Sequence, residues 1–214
     1  SIEDSRIDHN QVGLEQENTN RTLIENNTIY GNRNRGVVIG LDSFNTTVID
    51  NRLGWNGGLL DIVPIINGYD RGNSSIWESN RWSDYNGTGV YSIPGEANTN
   101  DSLARPLADD QLPSLSEEED IVYVLGERGN TISWSSSDEY PFRYVVYRNS
   151  ETNSIQNWYG EDITIDVDNL DFGAYNFTIV VRDAAGNEVT DSLYVHVTMD
   201  MFGGEGTIII LGGS

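Results

Sequence analysis

Apolar residues between Leu23 and Val63 come in short bursts: Leu23-Ile24, Ile29, Val37-Val38-Ile39, Val48-Ile49, Leu53, Leu59-Leu60 and Ile62-Val63, separated by clusters of Asn, Asp and Gly. No burst reaches helix length and none carries an i, i+3, i+4 stripe, so the pattern predicts short strands. The fragment IENNTI at 24–29 recurs as IEDSRI at 2–7 and, one residue shorter, as IDNRL at 49–53, with WESNRW at 77–82 as a looser fourth copy. The copies start 22, 25 and 28 residues apart, the length of a solenoid turn. Short strands meeting at Asn-rich corners predict a parallel β-helix, each coil burying its apolar face against the next.

Residues 1–22, 23–48 and 49–75 read as successive coils, with Ile2, Ile7, Val12 and Leu14 pointing inward in the first. The stretch PIINGYDRGNSS at 64–75 reads as a loop leaving the solenoid, and Ile76 opens the last coil. Trp77, Trp82, Tyr85 and Tyr91 are placed to cover that coil, so the β-helix domain is assigned 1–95 with an aromatic cap. Residues 96–119 are acidic, polar and Pro-punctuated, the composition of a linker. From 120 to 199 the period changes to two. Seven strands are predicted at 121–125, 131–135, 142–148, 154–159, 163–167, 175–183 and 188–198, an antiparallel sandwich. DAAGN at 183–187 is a hairpin turn. In YNFTIVV, Tyr175, Phe177, Ile179 and Val181 share one face, with Asn176 and Thr178 on the other. Residues 200–214 form a Gly-rich tail and an apolar run, either a strand or the start of a membrane helix. The fold class is therefore all-β: terminal β-helix coils plus a seven-stranded sandwich.

Charge sharpens this picture. The net charge is −22, and all 12 basic residues are Arg. Residues 1–95 carry 12 acids and 7 Arg, net −5; residues 96–214 carry 22 acids and 5 Arg, net −17. Such a field repels phosphate backbones, so nucleic acid is excluded as a partner. There is no Cys, which removes disulfides and thiolate metal sites. N-x-S/T sequons lie at Asn20, Asn26, Asn45, Asn73, Asn86, Asn100 and Asn176, marking these residues as candidate glycan acceptors. The chain opens in mid-coil at Ile2, which predicts further coils upstream.

The segment NRWSDYNGTGVYSIPG at 80–95 resembles the ending of right-handed parallel β-helix repeat proteins of the pectin-lyase-like superfamily, NosD-like ones in particular. Arg81 stands where that pattern has an aromatic residue. The segment 120–198 resembles an immunoglobulin or fibronectin III module: Leu170, Gly173 and Tyr175 match its L-x-x-G-x-Y corner, and Trp134 its core Trp. Together these resemblances imply an extracellular, membrane-anchored surface protein of archaeal type.

Candidate chemistry follows. Superfamily members often act on polysaccharides, and hydrolysis needs carboxylates converging on one face. Repeat alignment stacks Glu3, Glu25, Asp50 and Glu78 in one column. Glu25, Asp50 and Glu78 are therefore the catalytic candidates if the chain is an enzyme. Calcium takes carboxylate and carbonyl ligands, making Asp166, Asp168, Asp171, Asp183 and Asn187 its candidates. His196, Met199 and Met201 suggest soft-metal chemistry, an idea the NosD likeness also prompts. Trp55 and Trp158, in turn-like surroundings, are candidates for stacking on sugars. No nucleotide-binding motif occurs. The expected function is structural or adhesive, without catalysis and without a required cofactor. Expected partners are glycans, neighbouring surface proteins, or further copies joined through a coil end or strand edge. A carbohydrate-active enzyme is the alternative.

Overall fold

The computed structural model describes residues 1–57 and 65–199. The elements in them are all β-strands, and among the described residues no helix is long and apolar enough to cross a membrane. They form two compact units. One comprises the described residues of 1–112 with the segments 138–142 and 182–187; the other comprises 113–137, 143–181 and 188–199.

Three parallel sheets build the first unit. The first sheet holds β1 (Ile2–Glu3), β4 (Leu23–Glu25), β7 (Thr47–Ile49), β10 (Ile76–Glu78) and β13 (Asn100–Asp101). In the second are β2 (Arg6–Asp8), β5 (Thr28–Tyr30), β8 (Arg52–Gly54), β11 (Arg81–Trp82) and β14 (Arg105–Pro106). β3 (Val12–Gln16), β6 (Arg35–Ile39) and β9 (Gly68–Asp70) make the third. The first three coils each contribute one strand per sheet and the last two contribute to the first two sheets, which is the predicted parallel β-helix. Its interior is a set of apolar columns. Ile2, Ile24, Val48 and Trp77 stack in register in the first sheet, and Ile7, Ile29, Leu53 and Trp82 in the second.

Between these sheets the chain turns a corner, and there the Asn residues lie inside. Asn27, Asn51 and Asn80 are buried. Asn51 Oδ1 accepts the Asn27 backbone N–H (2.9 Å) and Asn27 Nδ2 (3.0 Å), and Asn80 Oδ1 does the same for Asn51, at 3.0 Å each. Asp101 ends the series, its Oδ2 accepting from Asn80 N, Asn80 Nδ2 and Trp82 Nε1 at 2.9, 3.0 and 3.1 Å. A second ladder joins Asn32, Asn56 and Asn67 through Asn32 Nδ2 to Asn56 Oδ1 (2.8 Å) and Asn56 Nδ2 to Asn67 Oδ1 (3.0 Å), and ends on Asp84 (2.8 Å).

The ladder corrects the repeat alignment. Coil-to-coil steps along it are 22, 24, 29 and 21 residues. Ile24 therefore pairs with Val48 rather than Ile49, and the third copy is VIDNRL, as long as the others. The 21-residue step adds a fifth coil inside the stretch read as a linker, because Asn100–Asp101 and Arg105–Pro106 continue two sheets. Asp101 and Pro106 replace the apolar residues that mark the other copies, so the fifth is invisible to a hydrophobic pattern. Residues 64–75 were expected to leave the solenoid, yet β9 pairs with β6. The inward position there is Gly68, where a Cβ would come within 3.0 Å of Trp82 and 3.1 Å of Trp77. Two indole rings fill the space that an apolar side chain occupies in other coils.

The predicted cap is present. Trp82 stacks on Tyr91 at 4.1 Å, and Tyr85 meets Tyr91 edge-on at 5.8 Å. β12 (Tyr91–Ser92) pairs antiparallel with β13, closing that edge.

The second unit is a sandwich. One sheet orders β16 (Ile121–Val124), β23 (Glu188–Thr198), β22 (Gly173–Asp183), β19 (Pro141–Arg148) and β20 (Glu151–Asn157); the other pairs β17 (Thr131–Trp134) with β21 (Ile163–Asp166). β15 (Ser114–Leu115) and β18 (Ser136–Ser137) form a short extra pair. The seven predicted strands are all there, but β16 runs parallel to β23, so the sandwich is not purely antiparallel. Ile132, Trp134 and Ile163 from one sheet share a core with Val146, Phe177, Ile179, Val181, Leu193, Val195 and Val197 from the other. Trp134 Nε1 donates to Asp191 (2.7 Å), and Tyr175 OH donates to the Asp171 carbonyl (3.1 Å), closing the expected tyrosine corner.

Because Asn51 satisfies donors in one neighbouring coil and acceptors in the other, Asn51→Ala should cost about 3 kcal/mol, the loss of several buried hydrogen bonds. Asn34→Ala, on an exposed residue, should stay within about 0.5 kcal/mol. Denaturant melts of both variants check this; equal stabilities would rule out the ladder as a source of stability.

Candidate functional site

The outer face of the first coil corner carries the carboxylates singled out by the repeats. Glu3 pairs with Glu25, Glu25 with Ile49, and Ile49 with Glu78. The column is thus Glu3, Glu25, Ile49 and Glu78, and Asp50 falls one position further on. There Asp50 adopts a left-handed φ of 54°, as do Asp4, Asn26 and Ser79 at 51°, 53° and 61°. Asp and Asn tolerate this conformation better than most residues, which explains their recurrence. Arg105 binds Asp50 Oδ1 (3.2 Å) and the Ser79 carbonyl (3.0 Å). Glu25 and Glu78 are two coils apart, roughly 9.6 Å at the usual strand spacing. A groove of about 490 Å³ runs past Glu3, Asp4, Glu25, Asp50, Arg52, Arg81 and Arg105.

A second acidic group was not foreseen. Asp109, Asp138 and Asp183 each bring a carboxylate oxygen within 4.8 Å of the others, all in the first unit. Asp183 continues the buried alternation Phe177, Ile179, Val181 and is fully buried. Its Oδ1 accepts Gly186 N (2.7 Å) and Asn187 N (2.8 Å), and its Oδ2 accepts Asn187 Nδ2 (2.7 Å). Asn187 Nδ2 also donates to the Asp109 carbonyl at 3.2 Å, and Asp138 Oδ1 accepts Tyr140 N at 2.7 Å. Oxygen ligands of this kind suit a hard divalent cation. Burial, then the neighbouring Asp183, Asp109 and Glu139 charges, raise the Asp138 carboxyl to about 6; burial and the same crowding raise Asp109. Only Asp183 among the calcium candidates belongs to this group, with Asn187 beside it. Its partners lie 74 and 45 positions away (183 − 109 and 183 − 138), so no local motif could have disclosed them.

The other calcium candidates serve a loop. Asp168 accepts Gly129 N (2.8 Å), Asn130 N (2.9 Å) and Asn130 Nδ2 (2.7 Å), and those backbone donors hold its carboxyl below the usual range. Asp166 accepts Asp168 N at 2.6 Å, while Asp171 offers its carbonyl to Tyr175. The two sugar-stacking candidates differ in burial, Trp158 being buried and Trp55 half-buried. Trp158 is fully buried in the sandwich core, its Nε1 donating to the Glu161 carbonyl (2.8 Å). Trp55 packs edge-on against Tyr140 at 4.9 Å. Trp158 belongs to the core because a turn-rich flank does not reveal what covers an aromatic. His196 stacks on Tyr194 and Met199 is exposed; Met201 and the 206–214 run lie outside the described residues.

Of the sequon residues, Asn20, Asn26, Asn45, Asn73, Asn86 and Asn100 are exposed and Asn176 is half-buried. Three line one corner of successive coils: Asn20 and Asn73 both bridge Phe44, and Asn45 Nδ2 donates to Asn20 Oδ1 at 3.1 Å.

No family model matches the chain, and no curated protein matches it. A solved structure described as "Structures of Clostridium thermocellum CbhA fibronectin(III)-like modules" is similar at a TM-score of 0.30 and 11% identity, covering 41% of this chain and 98% of that one.

Asp138 makes a signed prediction. A carboxyl raised above its ordinary 3.8 binds its proton more tightly folded than unfolded, so it lowers stability as pH rises through that interval. Without added divalent ions, Asp138→Asn should melt higher than wild type above the raised value of about 6, the gap closing in acid below 3.8. Melting curves across pH test this, and a variant that melts lower at neutral pH would refute it.

Proposed function

We propose that this chain is a non-enzymatic, extracellular structural or adhesive module of a cell surface, pairing a coil stack of the NosD-like kind with an immunoglobulin- or fibronectin III-like sandwich. The supporting observation is the corner formed by Asn20, Asn45 and Asn73, where consecutive coils expose acceptor residues side by side. A rigid stack carries those positions outward, and the interior stays sealed by apolar columns and Asn ladders. Partners in this reading are glycans or neighbouring surface proteins. Peptide mapping of protein isolated from its source tests the reading. Glycopeptides at this corner are expected, but not on Asn20 and Asn45 together, because their amides are hydrogen-bonded to each other. Bare peptides at every sequon would sink the glycosylated-surface reading.

The groove beside Glu25 and Asp50 favours a second reading, a carbohydrate-active enzyme, since carboxylates and arginines line it together. Turnover of acidic polysaccharides by wild type, abolished in Glu25→Ala with Asp50→Ala, would establish it; no turnover by wild type would remove it.

A further inference from the structure

Three Asn-Gly pairs occur in the chain, at Asn56-Gly57, Asn67-Gly68 and Asn86-Gly87. A glycine following asparagine leaves its nitrogen unshielded, so the backbone can attack the side-chain amide. The three pairs sit in very different surroundings. Asn56 is fully buried: its Oδ1 accepts Asn32 N (3.2 Å) and Asn32 Nδ2 (2.8 Å), and its Nδ2 donates to the Ile29 carbonyl and Asn67 Oδ1, both at 3.0 Å. The attacking nitrogen, Gly57 N, is itself committed to the Asn32 carbonyl at 2.8 Å. Asn67 is equally buried, its amide held by Asn56, Ser83 and Asp84.

Asn86 differs in exposure and, among the described residues, in having no buried neighbour amide. It is exposed, as are Gly87, Thr88 and Gly89. Gly87 has φ +84° and Gly89 φ +78°, a conformation that glycine adopts freely. The Asn86 Oδ1 accepts two hydrogen bonds from one residue, Thr88 N–H at 3.0 Å and Thr88 Oγ1–H at 2.7 Å. Two donors aimed at a carbonyl oxygen stabilise the negative charge that grows there when its carbon is attacked.

We propose that Asn86 is a self-modification site, converting through a cyclic imide to aspartate and isoaspartate, with Thr88 as the positioning residue that polarises its amide. Hydroxide removes the Gly87 N–H proton, and that nitrogen forms a bond to Asn86 Cγ. The Oδ1 oxyanion is held by the two Thr88 donors until water protonates Nδ2, returning the hydroxide, and the Cγ–Nδ2 bond breaks to release ammonia. Water then opens the imide at either carbonyl, returning aspartate or, with the backbone rerouted through Cβ, isoaspartate. No oxidant or reductant is involved. The product adds one negative charge two residues from Asp84, the carboxylate that ends the second Asn ladder and accepts Tyr91 OH at 3.0 and 2.9 Å. Asn86 Nδ2 is also the atom a glycan at this sequon would use, so glycosylation and conversion exclude one another at this residue.

The test uses the full chain made without glycosylation, held in warm, mildly alkaline buffer and mapped by peptide mass spectrometry that separates isoaspartate from aspartate. Asn86 should convert at least about tenfold faster than Asn56 and Asn67, whose reaction waits on opening of a buried ladder. Thr88→Val should slow Asn86 about fivefold, the worth of one modest hydrogen bond, without slowing the other two. Conversion at Asn86 no faster than at Asn56 and Asn67 would overturn the proposal. So would a Thr88→Val rate equal to or above wild type. The three-site comparison within wild type needs no variant to fold.

Discussion

A backbone N–H on the inside of a coil corner has no neighbouring strand to receive it, and left unpaired when buried it costs about 1–3 kcal/mol. Here that donor goes to an asparagine side chain one coil away. An amide is suited to the task because it accepts at one end and donates at the other. Asn51 Oδ1 therefore closes the corner at Asn27, while its Nδ2 reaches the Ile24 carbonyl (2.9 Å) and Asn80 Oδ1. Hydrogen bonds in such a chain polarise one another, and in a dry interior each is stronger than in water. The apolar columns supply most of the burial, but they would tolerate a slipped register. The amide ladder does not, because a one-residue shift would leave every corner donor unsatisfied.

Each ladder must end, and in both cases a carboxylate ends it. Asp101 needs only to accept, and it receives Asn80 from above and Trp82 from the cap. Asp84 does the same for Asn67, with Tyr91 closing its other side. Buried Asp70 anchors the third sheet similarly, accepting Trp77 Nε1 and Thr99 Oγ1 at 2.9 Å each. The aromatic cap and the ladder termini are thus one construction: the rings exclude water from the last coil, and their polar tips satisfy the carboxylates that finish it.

Acidity beyond the ladder ends takes two forms. On the outer corner, Asp4 and Asp50 occupy left-handed positions where Asp is a favourable backbone choice, so a sequence column of acids arises without any need for chemistry. The Asp109, Asp138 and Asp183 group is different in kind, because its members come from separate parts of the chain and crowd one another enough to raise two of their carboxyls. Asn86 owes its reactivity to a third circumstance, an exposed loop in which Thr88 supplies both donors.

Local pattern by itself determined the all-β class, the coil repeat, the seven sandwich strands, the aromatic cap and the tyrosine corner, because each rests on short motifs or on their recurrence along the chain. What only the tertiary structure decided was register and company. The fifth coil escaped notice because Asp101 and Pro106 replace its apolar markers, and β9 because Trp77 and Trp82 fill the space over Gly68 from elsewhere in the chain. Asp50 left the supposed carboxylate column through a one-residue difference in coil length that composition does not record. Asn27, Asn51, Asn56 and Asn80 lie in the Asn-rich corners that the sequence predicts, but their burial depends on whether another polar side chain stands one coil away. That depends on contacts 11 to 29 residues distant, which the pattern within one strand or turn does not record.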